Sequence, residues 1–219
     1  MDILLYYLFS SVEYVAMFIL TFRLFRLSLA GTGWRLVLAC LLLTNVDQSV
    51  RFLYDAPEIA PLVQLVLMFF LMWLLFGIHP FYASFVGVTG YMLYVSVANF
   101  WISLLPAFGA IDIANLSDPN HIDNRLLQCA TAFTTLLAAR IIQVKGWGFN
   151  FVPDDHEARV RLTWTNRFAL ANVLLSAFVV AVGYYVFLDY RQIPSMFISL
   201  AFWIALALLL YLSKRKNEE

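Results

Sequence analysis

Seven apolar runs of about twenty residues follow one another along this chain, at approximately 3–24, 34–54, 59–78, 81–105, 126–146, 167–188 and 193–213. A helix of about twenty apolar residues crosses roughly 30 Å of hydrocarbon. In lipid every backbone N–H and C=O must be satisfied within the protein, and for runs of this length the helix does so. The expected fold is all-α: a polytopic integral membrane bundle of seven helices forming a single transmembrane domain over residues 1–219. Composition agrees. The chain is 63% hydrophobic and 13% charged, with mean hydropathy +0.80, where soluble domains carry about a quarter charged residues. The second run is the weakest, because its uninterrupted part, Leu36–Leu43, is too short alone. It spans only if the polar stretch after it is counted in; without it there are six spans.

Lysine and arginine accumulate on the cytoplasmic side of membrane proteins. With seven spans, all of the 14 Lys and Arg except Arg51, Arg125 and Arg191 fall on one side. Six spans would divide them. The basic side is read as cytoplasmic, with the N-terminus outside, the C-terminus inside and the cell membrane as location. The start, MDILLYY, lacks the positive n-region of a secretory signal, so the first run is read as a retained span. Pro80, in Gly77-Ile78-His79-Pro80, suits the first turn of a helix after a tight hinge. Two excursions leave the bilayer: an outer loop around Gly109–Arg125 with Asp112, Asp118, His121 and Asp123, and an inner loop around Lys145–Trp164.

One stretch does not fit a lipid-facing helix. TNVDQSVRFLYD, Thr44–Asp55, puts Asn45, Asp47, Gln48 and Arg51 within two helical turns. Asp47 and Arg51 are spaced to face each other at i,i+4, and Thr44, Gln48, Arg51 and Asp55 draw one stripe. Ionised groups in a membrane face the bundle interior or a wet cavity and find partners there. Glu13, in the middle of the first run, is the partner the sequence offers for Arg51 or the stripe. Glu13, Asn45, Asp47, Gln48 and Arg51 are therefore the candidate ligand-binding residues. The competing reading makes them ion-paired glue between the first two helices.

Other chemistries are not written here. HExxH, GxSxG, a P-loop and GxGxxG are all absent. No catalytic residue, metal or cofactor is expected. In PDDHEAR, Pro153–Arg159, the adjacent acidic residues do not converge on a helix and read as a helix start. The two cysteines, Cys40 and Cys129, read as core thiols. Net charge is +0, and no long basic run argues for nucleic acid. Tyr6, Tyr7, Trp34, Trp147 and Trp164 at span ends read as an aromatic belt. A retinal-type Schiff base is excluded because Lys214 lies past the last apolar run.

The first span, SSVEYVAMFILTFRLFRL (Ser10–Leu27), and the ending LLLYLSKRKNEE give the chain a resemblance in layout to the membrane sensor region of Firmicutes GHKL histidine kinases of the accessory-gene-regulator type. The resemblance lies in an early glutamate, a Leu/Phe-Arg end to the first span, six or seven spans, and a lead into a signalling helix. It implies a peptide- or small-ligand-sensing membrane domain. Kinase boxes are absent, so the expectation is a stand-alone, non-enzymatic sensor. Such a sensor sits in the lipid bilayer and acts through a protein partner or a second copy. The alternatives are a transporter component using the polar stripe as its pathway, and a structural subunit of a membrane complex.

Overall fold

The computed structural model describes residues 3–117, 121–153, 164–189 and 195–218. It is all-α, with seven α-helices among the described residues: α1 Ile3–Leu24, α2 Gly33–Gln48, α3 Ala60–Phe70, α4 Pro80–Ala107, α5 Ile122–Lys145, α6 Trp164–Asp189 and α7 Ser195–Glu218. Five helical segments are long and apolar enough to cross a membrane: Leu4–Leu24, Gly33–Leu53, Pro80–Ala107, Ile122–Lys145 and Asn166–Gly183. The chain is thus a multi-pass membrane helical protein. The second run reaches spanning length as anticipated, by counting in its polar stretch. α2 does not stop at Gln48 but widens into a π-helical turn over Ser49–Leu53. The third run is shorter than its apolarity suggested. α3 has 11 residues and a 5-residue π-turn, Leu71–Leu75, about 24 Å at 1.5 Å per residue.

α4 is the axis of the bundle. It packs against α1, α3, α5, α6 and α7, while α2 sits outside, bridging α1 and α3. Phe85 through Met92 are buried without a break, so this stretch is covered on every face, as a central helix must be. Small residues permit the approach. Gly87 meets Met68 of α3, and Gly90 lies directly against Thr21 of α1. Close backbone contact at small residues is what holds helices together where lipid removes the hydrophobic drive.

His79 and His121 are helix caps. His79 Nδ1 accepts the amide of Phe81 at 3.3 Å, ahead of Pro80, and His121 Nδ1 accepts that of Asp123 at 3.3 Å. Each satisfies one of the orphan donors of a helix start.

At the end carrying most of the cations, residues 146–153 form a strap across the bundle. The Phe149 amide donates to the carbonyl of Leu24 at 2.7 Å, and the Asn150 amide to Oδ1 of Asn217 at 2.6 Å. Gly148, at φ +133°, runs so close to the end of α1 that a Cβ would stand 2.8 Å from the Leu24 carbonyl oxygen. The three C-terminal cations are not equivalent. Lys214 and Arg215 are exposed, but the Lys216 ammonium lies 4.5, 4.4 and 5.0 Å from the ring centres of Phe81, Tyr82 and Phe151. It ties α7 to the start of α4 and to the strap. Lys216→Ala is expected to lower stability by about 1–2 kcal/mol, the range for a desolvated cation–π contact, and Lys214→Ala to leave it nearly unchanged. Thermal unfolding of the two variants in detergent checks the contrast; equal losses would return Lys216 to the headgroup region.

Candidate functional site

A cavity of about 480 Å³ lies in the half of the bundle away from the strap, and every one of the seven helices contributes to its wall. Glu13 comes from α1, Gln64 from α3, Tyr94 from α4, Gln128 from α5, Val180 from α6 and Phe202 from α7, while Asp47 and Arg51 come from α2 and its π-turn. This volume is within the range of small-molecule sites.

Asp47 is the centre of the wall. Its side chain is 8% exposed. Arg51 Nε donates to Oδ1 at 2.8 Å, the Tyr6 hydroxyl donates to Oδ2 at 2.5 Å, and the Gln64 amide also donates to Oδ1. The Tyr91 hydroxyl continues the network to Oε1 of Gln64 at 3.3 Å. One carboxylate thus joins α1, α2 and α3, and through Gln64 α4. Such a buried charge is stable only when hydrogen-bonded and paired in this way.

The π-turn shapes this wall. In an α-helix a residue five positions beyond Asp47 points well away from it; a wider i→i+5 turn brings it back. Phe52 accordingly lines the cavity and meets Tyr6 edge-on, 5.6 Å between ring centres. Asp55, at φ +50°, is exposed and lines the same cavity.

The five sequence candidates separate. Glu13, Asp47 and Arg51 line the cavity. Asn45 is exposed and Gln48 half-buried, and neither is among the lining residues. The stripe runs through Asp47 rather than Gln48, because burial of Cys40, Leu43 and Thr44 sets the rotation of α2. Asp55 is off the helix that the stripe assumed. Where the sequence suggested a Glu13–Arg51 pair, each has its own partner: Arg51 takes Asp47, and the Glu13 carboxylate accepts the hydroxyl of Tyr94. The contact between helices one and two is instead Tyr6 to Asp47, with Ser11 and Thr44 oxygens 3.4 Å apart beside it.

Tyr6, Gln64, Tyr91 and Tyr94 were not candidates. Tyr6 is buried at Asp47 rather than standing in the aromatic belt; Trp34, Trp147 and Trp164 remain exposed. Gln64, alone inside PLVQLVLMFF, carries the signal that an intramembrane polar residue always carries. Of the two cysteines, Cys40 is buried and Cys129 is exposed, and both are free thiols.

Residues 111–117, in the loop after α4, close over the cavity. Leu116, in the short 3-10 turn Ile113–Ser117, is a lining residue, and Ile111 is buried in the protein rather than laid on lipid. Asp123 clamps this loop, accepting the Asp112 amide at 3.1 Å and the Asn115 side-chain amide at 2.8 Å. Asp118 and the acidic run Asp154–Glu157 lie outside the described residues. No group of three or more metal-ligating side chains occurs among the described residues.

Two polar groups on the wall are unsatisfied among the described residues. The Thr131 hydroxyl is fully buried, and Nδ2 of Asn99 is buried, each without a hydrogen-bond partner. Toward the strap the bundle is instead packed solid with Phe18, Phe22, Phe25, Met68, Met72 and Phe85.

Comparison with family models, curated proteins and solved structures finds no match to this chain.

Proposed function

We propose that this protein is a non-enzymatic membrane sensor that takes a small ligand, or the end of a peptide, into the seven-helix cavity from the outer side of the cell membrane. The observation that carries the reading is the cavity itself: all seven helices converge on it, and its wall holds two buried polar groups with no hydrogen-bond partner among the described residues. Buried polar groups in native proteins are otherwise almost always paired. Since every helix touches the ligand space, occupancy changes the packing of every helix. The strap and Lys216 join the far ends of α1, α4 and α7, where exposed Lys214 and Arg215 face a protein partner or a second copy.

The transporter reading asks for a polar route through the bundle, and the apolar packing toward the strap supports a dead-end site instead. The structural reading is favoured by Asp47, whose bonds join three helices, but it gives no account of the cavity.

The orientation has a direct test. In a Cys40→Ala, Cys129→Ala background, Ala98→Cys places a thiol on the cavity wall. A membrane-impermeant maleimide added to intact cells is expected to label it, and a C-terminal reporter is expected to be cytoplasmic. Labelling only after the cells are opened, or an extracellular C-terminus, overturns the reading.

A further inference from the structure

We infer that the cavity is a site for an organic ammonium cation, an amine or quaternary ammonium group carried on a small apolar body. The inference rests on the sensor reading of the same cavity and adds the class of ligand. Its lining holds three carboxyl groups, Glu13, Asp47 and Asp55, against one guanidinium, Arg51. Arg51 is spent on Asp47 at 2.8 Å. Glu13 is different: its hydrogen-bonding neighbours, the hydroxyl of Tyr94 and the side chain of Gln128, are neutral. A half-buried carboxylate inside a membrane protein calls for a positive partner, and the cavity leaves space for one.

The rest of the wall is chosen for the same guest. Tyr6, Tyr14, Phe52, Tyr91 and Tyr94 put aromatic rings around the acidic groups. Ring faces attract cations, most strongly where water is excluded, and aromatic rings beside carboxylates are how quaternary ammonium groups are held. An anion would meet an excess of negative charge, and a metal ion would find rings where it needs several oxygens. The Thr131 hydroxyl, fully buried and without a partner among the described residues, supplies a hydrogen-bonding group for an ammonium N–H or a neighbouring hydroxyl, and Nδ2 of Asn99, likewise without a partner among them, supplies a donor for an oxygen on the same molecule. About 480 Å³ is too much space for a bare ion and too little for a folded peptide.

The test uses the same Ala98→Cys protein with two impermeant methanethiosulfonates of similar size, one bearing trimethylammonium and one bearing sulfonate. Each rate is divided by its rate with 2-mercaptoethanol. The cationic reagent is expected to react about tenfold faster or more at low salt, since a low-dielectric acidic cleft concentrates cations. Glu13→Gln is expected to cut that preference by about threefold or more, with Asp55→Asn at the exposed mouth as the second variant should the first fail to fold. Choline is expected to protect the thiol, and its uncharged isostere 3,3-dimethylbutan-1-ol is not. Equal rates for the two reagents, or equal protection by both alcohols, overturn the cation assignment while leaving an outward-facing cavity standing. No reaction with either reagent overturns the sensor reading itself. A trimethylammonium group can also arrive on a lipid. Protection without choline in phosphatidylcholine liposomes, but not in phosphatidylglycerol liposomes, marks the headgroup as its source.

Discussion

Asp47→Ala is expected to lower stability by roughly 3–5 kcal/mol, the range for removing one partner of a buried ion pair, and to be the most damaging single change in the cavity wall. Asp47 is the shared acceptor of Arg51, Tyr6 and Gln64. Without it a guanidinium, a hydroxyl and an amide each lose one acceptor at once. Arg51→Ala is expected to cost less, about 1–3 kcal/mol. The Arg51 side chain is 23% exposed against 8% for Asp47, and the carboxylate it leaves keeps two neutral donors. The double change Asp47→Leu with Arg51→Met removes both charges and is expected to recover part of the loss. The order of thermal midpoints in detergent checks this: Asp47→Ala lowest, the double variant and Arg51→Ala above it. Arg51→Ala falling below Asp47→Ala would make the arginine, not the aspartate, the centre of the network.

This asymmetry bears on what could be read from the chain. Apolar length fixed the helices, because a run of about twenty residues has one fold available in lipid. It did not fix α3, whose apolar residues continue past the helix into a π-turn and a hinge; apolarity reports depth in the membrane, not hydrogen-bond pattern. The polar stretch after Leu43 marked the site, since charge in a membrane must be accounted for. Which of its residues point inward was not legible. A spacing argument admits Gln48 as readily as Asp47, and the rotation of α2 is decided by what Cys40, Leu43 and Thr44 bury against other helices. The long-range partners were further out of reach. Tyr6 looks like an interfacial tyrosine until α1 is laid beside α2, and Lys216 looks like an anchor until Phe81, Tyr82 and Phe151 surround it. Long amphipathic side chains place their tips by tertiary packing, and a linear sequence does not carry that information.

Gly90→Ala is expected to cost about 1–3 kcal/mol, as overpacking does, although alanine is the better helix former by about 1 kcal/mol. A methyl group there would overlap Oγ1 of Thr21 and stand 2.7 Å from its Cγ2 and 2.8 Å from its Cβ. Rotating the threonine does not relieve this. Its Cβ is fixed to the backbone of α1, and its hydroxyl is held by the Met17 carbonyl at 2.8 Å. The helices must therefore move apart. One turn further along α4 is Tyr94, whose hydroxyl meets Glu13 of α1 across the same interface. The wedge at Gly90 is thus expected to loosen the deep wall of the cavity as well as the bundle. Thr21→Ala removes the two nearest atoms but leaves Cβ, so it restores Gly90→Ala only in part; Thr21→Gly removes all three and restores it further. In the cavity-labelling assay, Gly90→Ala should reduce the preference for the cationic reagent, and Thr21→Gly should bring it back together with the thermal midpoint. A Gly90→Ala protein as stable as the parent would mean that α1 and α4 do not approach this closely, and the Tyr94–Glu13 contact would lose its support with them.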